Sequence, residues 1–227
     1  MSVEDRKRAA GWAAAELVEP GMTVGLGTGS TAAWFVRALA ERHLPIRCVA
    51  TSAATARLGS ELGLALIELD EAGTLDLTVD GADEIGPGLA LIKGGGAALL
   101  REKLVWSASR RCVVIADDGK RVARLGRFPL SIEVVAFGHA GTASRIAAAA
   151  SEAGIASAPV QRRVGGEPVT TDGGNLVYDL SCGEIADPPA LAAALKAVTG
   201  VVDHGLFLGL AESAVIAGPA GISILHP

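Results

Sequence analysis

The first half of the chain carries a glycine-rich segment that ends in hydroxyl side chains, Gly25-Leu26-Gly27-Thr28-Gly29-Ser30-Thr31. It follows a short predicted strand, Met22 to Leu26, and precedes an amphipathic helix predicted over residues 30–42. Glycines allow backbone amides to approach an anion closely, and the helix adds its positive N-terminal end. Ser30 and Thr31 could bond a phosphate oxygen or cap the helix, and the alternative is a tight turn with an ordinary cap.

This segment fits a monophosphate better than a nucleotide. A dinucleotide fingerprint needs a glycine where Ser30 stands and an acidic residue at the end of the second strand, which here ends in Thr51-Ser52. The Gly-Lys-Ser/Thr ending of a Walker A loop is absent. We therefore expect a small phosphorylated ligand rather than NAD or ATP.

A second segment, Asp80-Gly81-Ala82-Asp83-Glu84, places two carboxylates three positions apart just past an apolar strand. Crowded carboxylates shift each other's pKa values and suit proton transfer to sugar hydroxyls. Two other interpretations stay open: an Asp-Gly turn with a helix cap, and a Mg²⁺ site, since magnesium needs only one or two carboxylates and waters.

A third segment runs from Lys93 to Lys103, KGGGAALLREK. Gly94, Gly95 and Gly96 predict a flexible turn whose amides can face an oxyanion, and Lys93 beside them is a candidate cation. Glu102 is predicted about two turns into the next helix. By pattern alone, a solvated charge between Arg101 and Lys103 describes it better than a catalytic group.

The elements around these segments alternate between strand and helix. Strands are predicted at 46–52, at 64–68, up to about Asp80 and at 111–117, with helices between them. This alternation favours a mostly parallel sheet with helices on both faces, in which ligands bind at the carboxyl ends of the strands. Lys120 follows the last of these strands, where it could reach a phosphate or be an ordinary solvated lysine.

The pattern changes around residue 126. The strand FPLSIEVVAF, the helix SRIAAAASEAG, two strands in PVTTDGGNLVYDLS, the helix PALAAALKAV and the strand VVDHGLFL give a β-α-β-β-α-β order. That order suits a ferredoxin-like α+β domain. We predict an α/β fold: a Rossmann-like domain of residues 1–126 and 207–227, to which the hairpin AVIAGPAGISIL returns, and a smaller ferredoxin-like domain of residues 127–206.

Composition excludes several classes of partner. The net charge is -5 and no Lys/Arg tract is present, which argues against a nucleic-acid partner. The three cysteines are far apart and the four histidines are scattered, so reduced thiols and no metal site are expected. The N-terminus has no apolar targeting region and no apolar run approaches the roughly 20 residues of a membrane span. A cytoplasmic protein without a membrane contact is expected.

Five motifs in order, GLGTGST, TSAAT, DGADE, KGGGAALLREK and ADDGK, are followed by FPLSIEV, TDGGNLVYD and VVDHGLF. In this order and at these separations the chain resembles ribose-5-phosphate isomerase, type A, over nearly its whole length. It departs from the family at ADDGK, where many relatives have Ser before the lysine, and at GLAL, which replaces a commoner Gly-Ile-Pro.

The resemblance implies interconversion of D-ribose 5-phosphate and D-ribulose 5-phosphate in the pentose phosphate pathway, through a cis-enediolate and without a metal or cofactor. It implies a homodimer, with a tetramer as the alternative. Glu102 would be the base that moves the carbon-bound proton, Asp80 and Asp83 would assist ring opening and hydroxyl proton transfer, and Lys93 would stabilise negative charge. The residues implied to bind substrate and phosphate are Lys7, Thr28, Gly29, Ser30, Thr31, Gly81, Ala82, Gly94, Gly95, Gly96 and Lys120.

Three rival functions would use related architectures. A sugar-phosphate sensor would keep the phosphate loop but could lose Glu102, Asp80 and Asp83, all of which are present here. An amino-sugar phosphate isomerase/deaminase would be expected to use a histidine, and none lies near the three segments. A CoA transferase resembles an enzyme with a glutamate nucleophile, but KGGG and DGADE together argue against it.

Overall fold

The computed structural model describes all 227 residues. Seven α-helices are present: α1 (Val3–Ala15), α2 (Ser30–Glu41), α3 (Ala53–Glu61), α4 (Leu69–Ala72), α5 (Leu99–Ser107), α6 (His139–Glu152) and α7 (Pro188–Lys196). Short 3₁₀ turns occur at Pro87–Leu89 and Asp118–Lys120.

Fifteen strands complete the secondary structure: β1 (Thr23–Leu26), β2 (Arg47–Ala50), β3 (Leu77–Gly81), β4 (Glu84–Ile85), β5 (Leu91–Ile92), β6 (Cys112–Asp117), β7 (Leu130–Val134), β8 (Val160–Gln161), β9 (Arg163–Val164), β10 (Glu167–Pro168), β11 (Leu176–Leu180), β12 (Val201–His204), β13 (Leu206–Phe207), β14 (Ser213–Gly218) and β15 (Gly221–Leu225). None of the seven helices has the length and apolar character of a membrane span.

The chain divides into two compact units. The first contains Met1–Ala82, Arg101–Arg121 and Gly209–Pro227, and the second contains Asp83–Leu100 and Val122–Leu208. The sequence prediction had placed residues 83–100 in the first domain. The structure groups them with the second unit, where β4 and β5 pair with β13 in a three-stranded antiparallel sheet.

The first unit is a six-stranded sheet in the order β15-β14-β6-β3-β1-β2. All neighbours are parallel except β15, which forms the expected hairpin with β14. Since side chains alternate along a strand, Val24 and Leu26 pack with Phe35 of α2 in one core cluster. Gly25 faces the opposite side, toward Val105 of α5. Helices therefore cover both faces, which confirms the Rossmann-like prediction.

The second unit contains a four-stranded antiparallel sheet in the order β12-β7-β11-β8. In chain order these strands alternate with helices as β7-α6-β8-β11-α7-β12, which is the predicted ferredoxin-like arrangement. A buried cluster that includes Ile132, Ile146 and Leu191 joins the sheet to both helices.

Three predicted strands differ from the structure. Residues 64–68 supply only an isolated bridge, Leu66 to Cys48. The segment before the TDGGN turn supplies the end of β10 at Pro168 and an isolated bridge from Thr170 to Leu176. The last predicted strand is divided at Gly205 into β12 and β13, which belong to different sheets. A Cβ on Gly205 would lie 2.0 Å from the Lys93 carbonyl oxygen, so close backbone packing at Gly205 accounts for the break.

Candidate functional site

The segments predicted to bind substrate in the first unit follow neighbouring parallel strands. Leu26 of β1 pairs with Val79 of β3, and Gly81 of β3 pairs with Ile115 of β6. Because parallel strands end at one edge of a sheet, the turn after β1, the end of β3 and the turn after β6 all lie at that edge. The segments of this unit that were predicted to bind substrate therefore lie at one edge of the sheet.

The turn between β1 and α2 is held directly against β3. The Gly27 amide donates to the Val79 carbonyl at 2.9 Å, and the Thr28 amide donates to Asp80 Oδ1 at 3.0 Å. A Cβ on Gly27 would lie 2.2 Å from Asp80 Oδ1 and 2.5 Å from Asp80 Cα. Only glycine permits this approach, so the glycine at position 27 fixes the turn against the carboxylate.

The Thr28 hydroxyl belongs to a cluster of four hydroxyl groups. Its Oγ1 lies 2.7 Å from Thr51 Oγ1, 2.8 Å from Ser52 Oγ and 3.1 Å from Thr55 Oγ1. Thr55 also donates to the Gly27 carbonyl at 3.0 Å, and Ser52 caps α3. The Thr28 side chain is thus engaged in holding the turn, which leaves backbone amides as the groups that face outward.

The N-terminus of α2 carries no side-chain cap. Gly29 is the N-cap residue, so neither Ser30 nor Thr31 caps the helix, and the structure excludes that alternative. Gly29 and Ser30 are exposed. The first amides of a helix have no partner within it and carry partial positive charge, so this end of α2 suits an anion.

Asp80 is fully buried at the end of β3. Its Oδ1 accepts the Thr28 amide and the Gly81 amide, the latter at 2.7 Å, and its Oδ2 lies 3.4 Å from the Trp106 indole nitrogen. Asp80 lies in β3 and does not cap a helix. Asp80 therefore organises the turn after β1 as well as presenting a carboxylate at the edge of the sheet.

Glu102 lies in the first turn of α5, not two turns in, because the chain from Lys93 to Ala98 is irregular and the helix begins at Leu99. Only 4 % of Glu102 is exposed, whereas Arg101 is exposed. The solvated-charge interpretation is therefore wrong. Trp106 stands four residues later on the same helix face and donates toward Asp80, so Glu102 lies on the face of α5 that looks toward that carboxylate.

The two peripheral lysines lie on elements joined by an ion pair. Arg6 of α1 bonds Asp118 at 2.9 Å, which ties the start of α1 to the 3₁₀ turn that carries Lys120. Lys7, the next residue on α1, has its Nζ 3.8 Å from Glu4. Both lysines are half-buried. The first unit thus offers two cations close to the edge where β6 ends.

The remaining predicted residues belong to the second unit. The Gly95 amide donates to Asp83 Oδ2 at 2.8 Å, so the aspartate holds the glycine turn. Lys93 is 2 % exposed, its amide donates to the Gly205 carbonyl at 2.8 Å, and its Nζ lies 5.5 Å from the Phe207 ring centroid. Gly95 and Gly96 are exposed, which leaves this part of the turn open to a ligand.

Several residues that hold these groups carried no functional signal in the sequence. Thr51, Ser52 and Thr55 lie in the TSAAT motif, but their role in gripping Thr28 is visible only in three dimensions. Trp106 looked like an ordinary apolar helix residue. Arg162, in a run of polar residues with no motif, turns out to contact the Gly94 and Gly95 carbonyls.

A cavity of about 460 Å³ in the first unit is lined by none of the predicted site residues. Its walls come from the end of β2, the α4 region and α5, and they include Val49, Ile67, Leu69 and Leu104. Its lining also includes Glu68, Glu71 and Arg101, so two carboxylates offset the one cation and the cavity does not suit a phosphate.

The cysteines are not poised for chemistry. Burial raises the pKa of Cys48 and Cys112 to about 12 and that of Cys182 to about 11, so all three are protonated at neutral pH. For Cys112 the nearby Asp80 carboxylate raises the pKa further. All three are free thiols, and no group of three or more potential metal ligands lies together.

Comparison with known proteins agrees with this geometry. Residues 47–221 match the family model described as ribose 5-phosphate isomerase A (phosphoriboisomerase A). The chain is 64% identical, over 100% of both chains, to the ribose-5-phosphate isomerase A of Caulobacter sp. (strain K31). The Neisseria gonorrhoeae ribose 5 phosphate isomerase A structure matches with a TM-score of 0.92 and 33% identity, covering 100% of this chain and 98% of that one.

A further D-ribose-5-phosphate isomerase structure, solved in complex with phospho-erythronic acid, matches with a TM-score of 0.92 and 32% identity over 100% of both chains. The family model covers most of this chain, and the identity to the Caulobacter relative extends over its full length. This chain therefore belongs to the ribose 5-phosphate isomerase A family.

Proposed function

We propose that this isomerase interconverts D-ribose 5-phosphate and D-ribulose 5-phosphate through a cis-enediolate, with Glu102 as the base. In this reaction the base takes the proton from C2 of the open-chain aldose and returns it to C1, while a hydrogen moves from O2 to O1. No group is gained or lost, so the protein must supply a base, polar groups for the oxygens and an anion site for the phosphate.

The phosphate site is assigned to the turn after β1. The uncapped end of α2 at Gly29 and Ser30 supplies amides and partial positive charge. Thr28 and Thr31 flank these amides, and Lys120 and Lys7 add positive charge from the neighbouring edge. The fixed contact between Gly27 and Asp80 supports this assignment, because an anion site built from amides needs a rigid backbone.

The burial of Glu102 is the observation that carries the base assignment. A carboxylate that is 4 % exposed has lost most of its hydration, and burial of this kind favours proton uptake. The position in the first turn of α5 acts in the opposite sense, because a helix N-terminus stabilises negative charge. These opposing influences suit a group that must both accept and return a proton.

The remaining polar groups would serve the sugar oxygens. Asp80 and Asp83 would move protons during ring opening and between hydroxyls, with Gly81 and Ala82 contacting substrate beside them. Lys93 and the amides of the Gly94–Gly96 turn would stabilise the negative oxygen of the enediolate. The phospho-erythronic acid bound by a relative carries a phosphate and a carboxylate, and a planar carboxylate resembles an enediolate in shape and charge.

A single assay tests the proposed activity. Purified protein receives ribose 5-phosphate in the presence of a metal chelator, and ribulose 5-phosphate is followed over time. We expect turnover that the chelator does not reduce. Absence of turnover with and without chelator would refute the isomerase activity, and turnover that the chelator abolishes would refute a metal-free mechanism. We further propose a homodimer in the cytoplasm, and sedimentation analysis tests the oligomeric state.

A further inference from the structure

The guanidinium of Arg162 contacts the glycine turn that follows Lys93. Arg162 lies between β8 and β9, and its Nη1 donates to the Gly94 carbonyl at 2.9 Å and to the Gly95 carbonyl at 3.1 Å. Two successive carbonyls of the turn are thus held by one nitrogen. No other side chain of this unit donates a hydrogen bond to both carbonyls.

The other donors of Arg162 are anchored in the four-stranded sheet. Nε donates to Asp179 Oδ2 at 2.7 Å, and Nη2 donates to Asp179 Oδ1 and to Ser131 Oγ, the latter at 2.7 Å. Asp179 and Ser131 are directly opposite each other on β11 and β7. The five N–H donors of the guanidinium are therefore all engaged, which fixes its plane.

The backbone of Arg162 is held as firmly as its side chain. Its amide donates to the Val177 carbonyl at 2.8 Å, and its own carbonyl accepts from the Val169 amide at 2.9 Å. Only 16 % of the Arg162 side chain is exposed, so water competes little for these bonds. The sheet thus holds the Arg162 guanidinium rigidly against the glycine turn.

The orientation of the two carbonyls determines the direction of two amides. In a trans peptide the N–H points opposite to the C=O. With the Gly94 carbonyl directed at Arg162, the Gly95 amide points away from it, and that amide donates to Asp83 at 2.8 Å. With the Gly95 carbonyl directed the same way, the Gly96 amide also points away from Arg162, and Gly96 is exposed.

We infer that Arg162 is a positioning residue for the isomerase. It fixes the Gly94–Gly95 and Gly95–Gly96 peptides so that the Gly95 amide stays on Asp83 and the Gly96 amide faces the reacting oxygens. This inference rests on the proposed function, in which that turn stabilises the enediolate. Three consecutive glycines have little conformational preference of their own, so the turn needs an external clamp to keep its amides aligned. Arg162 acts through these peptides and not by contact with substrate.

The test compares Arg162→Ala and Arg162→Lys with Arg163→Ala. Arg163 is the matched control because it is the next residue, is exposed, and bonds only the nearby Gly166 and Gln161. We expect kcat to fall about tenfold to a hundredfold in Arg162→Ala, the loss that misplacement of catalytic groups by about 1 Å produces. The kcat of Arg162→Lys is expected to lie between those of Arg162→Ala and wild type, because an ammonium cannot reproduce the planar guanidinium.

Three further readouts separate positioning from a structural role. Affinity for phospho-erythronic acid is expected to fall in Arg162→Ala, while affinity for inorganic phosphate stays within twofold of wild type. Added guanidinium, at concentrations too low to unfold the protein, is expected to restore part of the kcat of Arg162→Ala and none in Arg162→Lys. Circular dichroism and Tm establish the folded fraction of each variant.

Wild-type kcat in both Arg162 variants would overturn the inference. So would a loss of activity that follows the loss of folded protein, with no recovery on adding guanidinium. If Arg162→Ala does not fold, Arg162→Lys decides: a kcat equal to that of Arg163→Ala overturns the inference, and a reduced kcat with unchanged phosphate affinity supports it. An inactive wild-type protein would instead refute the proposed function itself.

Discussion

Replacing Gly27 by alanine tests how the phosphate turn is held. The new Cβ would lie 2.2 Å from Asp80 Oδ1 and 2.5 Å from Asp80 Cα, so either β1 or β3 must move by about 1 Å. Such overpacking costs about 1–3 kcal/mol. Loss of the bond from the Thr28 amide to the buried carboxylate adds about 1.5–3 kcal/mol. We expect the free energy of unfolding to fall by about 2.5–6 kcal/mol in all.

For a chain of this length each kcal/mol lowers Tm by about 2–4 °C, so Gly27→Ala should melt about 5–25 °C below wild type. The KM for ribose 5-phosphate should rise as well, because the amides after the turn move with it. Gly141→Ala in α6 is the matched control, since a Cβ there meets nothing closer than 3.5 Å and Gly141 is not among the proposed site residues. Gly27→Ala with wild-type Tm and KM would refute the close contact between the turn and Asp80.

Two further predictions follow from the hydroxyl cluster and from the thiols. Thr28→Val removes the hydroxyl shared by Thr51, Ser52 and Thr55. At a cost of about 1 kcal/mol it should lower Tm by about 2–4 °C while kcat is retained, measured against Thr74→Val at an exposed position. Unchanged Tm with abolished activity would contradict this structural role. The raised pKa values of Cys48 and Cys112, about 12 in the folded state against 9.0 in the unfolded chain, stabilise the fold fully below pH 9 and progressively less as pH rises from 9 through 12. Native protein at pH 8 should therefore resist thiol alkylation that unfolded protein undergoes at three sites, and rapid labelling of the native protein would contradict the burial.

Local pattern was enough to predict the two-part fold. Alternating strands and helices up to Asp117, followed by a β-α-β-β-α-β order, correspond to the sheets observed. The predicted strand and domain boundaries were wrong where one strand contacts a distant segment of the chain. Gly205 ends β12 because the Lys93 carbonyl approaches it, and residues 83–100 join the second unit through pairing with β13. Long-range backbone contacts of this kind leave no periodic signal in the sequence.

The anion turn could be predicted for similar reasons, because glycines and hydroxyls before a helix have a direct physical meaning. The burial of Glu102 could not be predicted, since the residues on both sides of it are charged. The structure explains the difference: α5 begins at Leu99, which turns Glu102 inward with Trp106 and leaves Arg101 outside. The role of Arg162 could not be predicted from the sequence, because its partners are distant along the chain: Asp179, Ser131 and the Gly94 and Gly95 carbonyls.

The central claim is that Glu102 moves the carbon-bound proton, and Glu102→Gln tests it most directly. The amide keeps the size of the side chain but cannot accept the proton. Measured beside Glu61→Gln, an exposed glutamate of α3, Glu102→Gln should lose about a hundredfold or more of kcat, in line with the contribution of a general base. It should also fail to exchange the C2 proton of ribose 5-phosphate with solvent while still binding phospho-erythronic acid. Near-normal turnover and exchange in a folded Glu102→Gln protein would contradict the account.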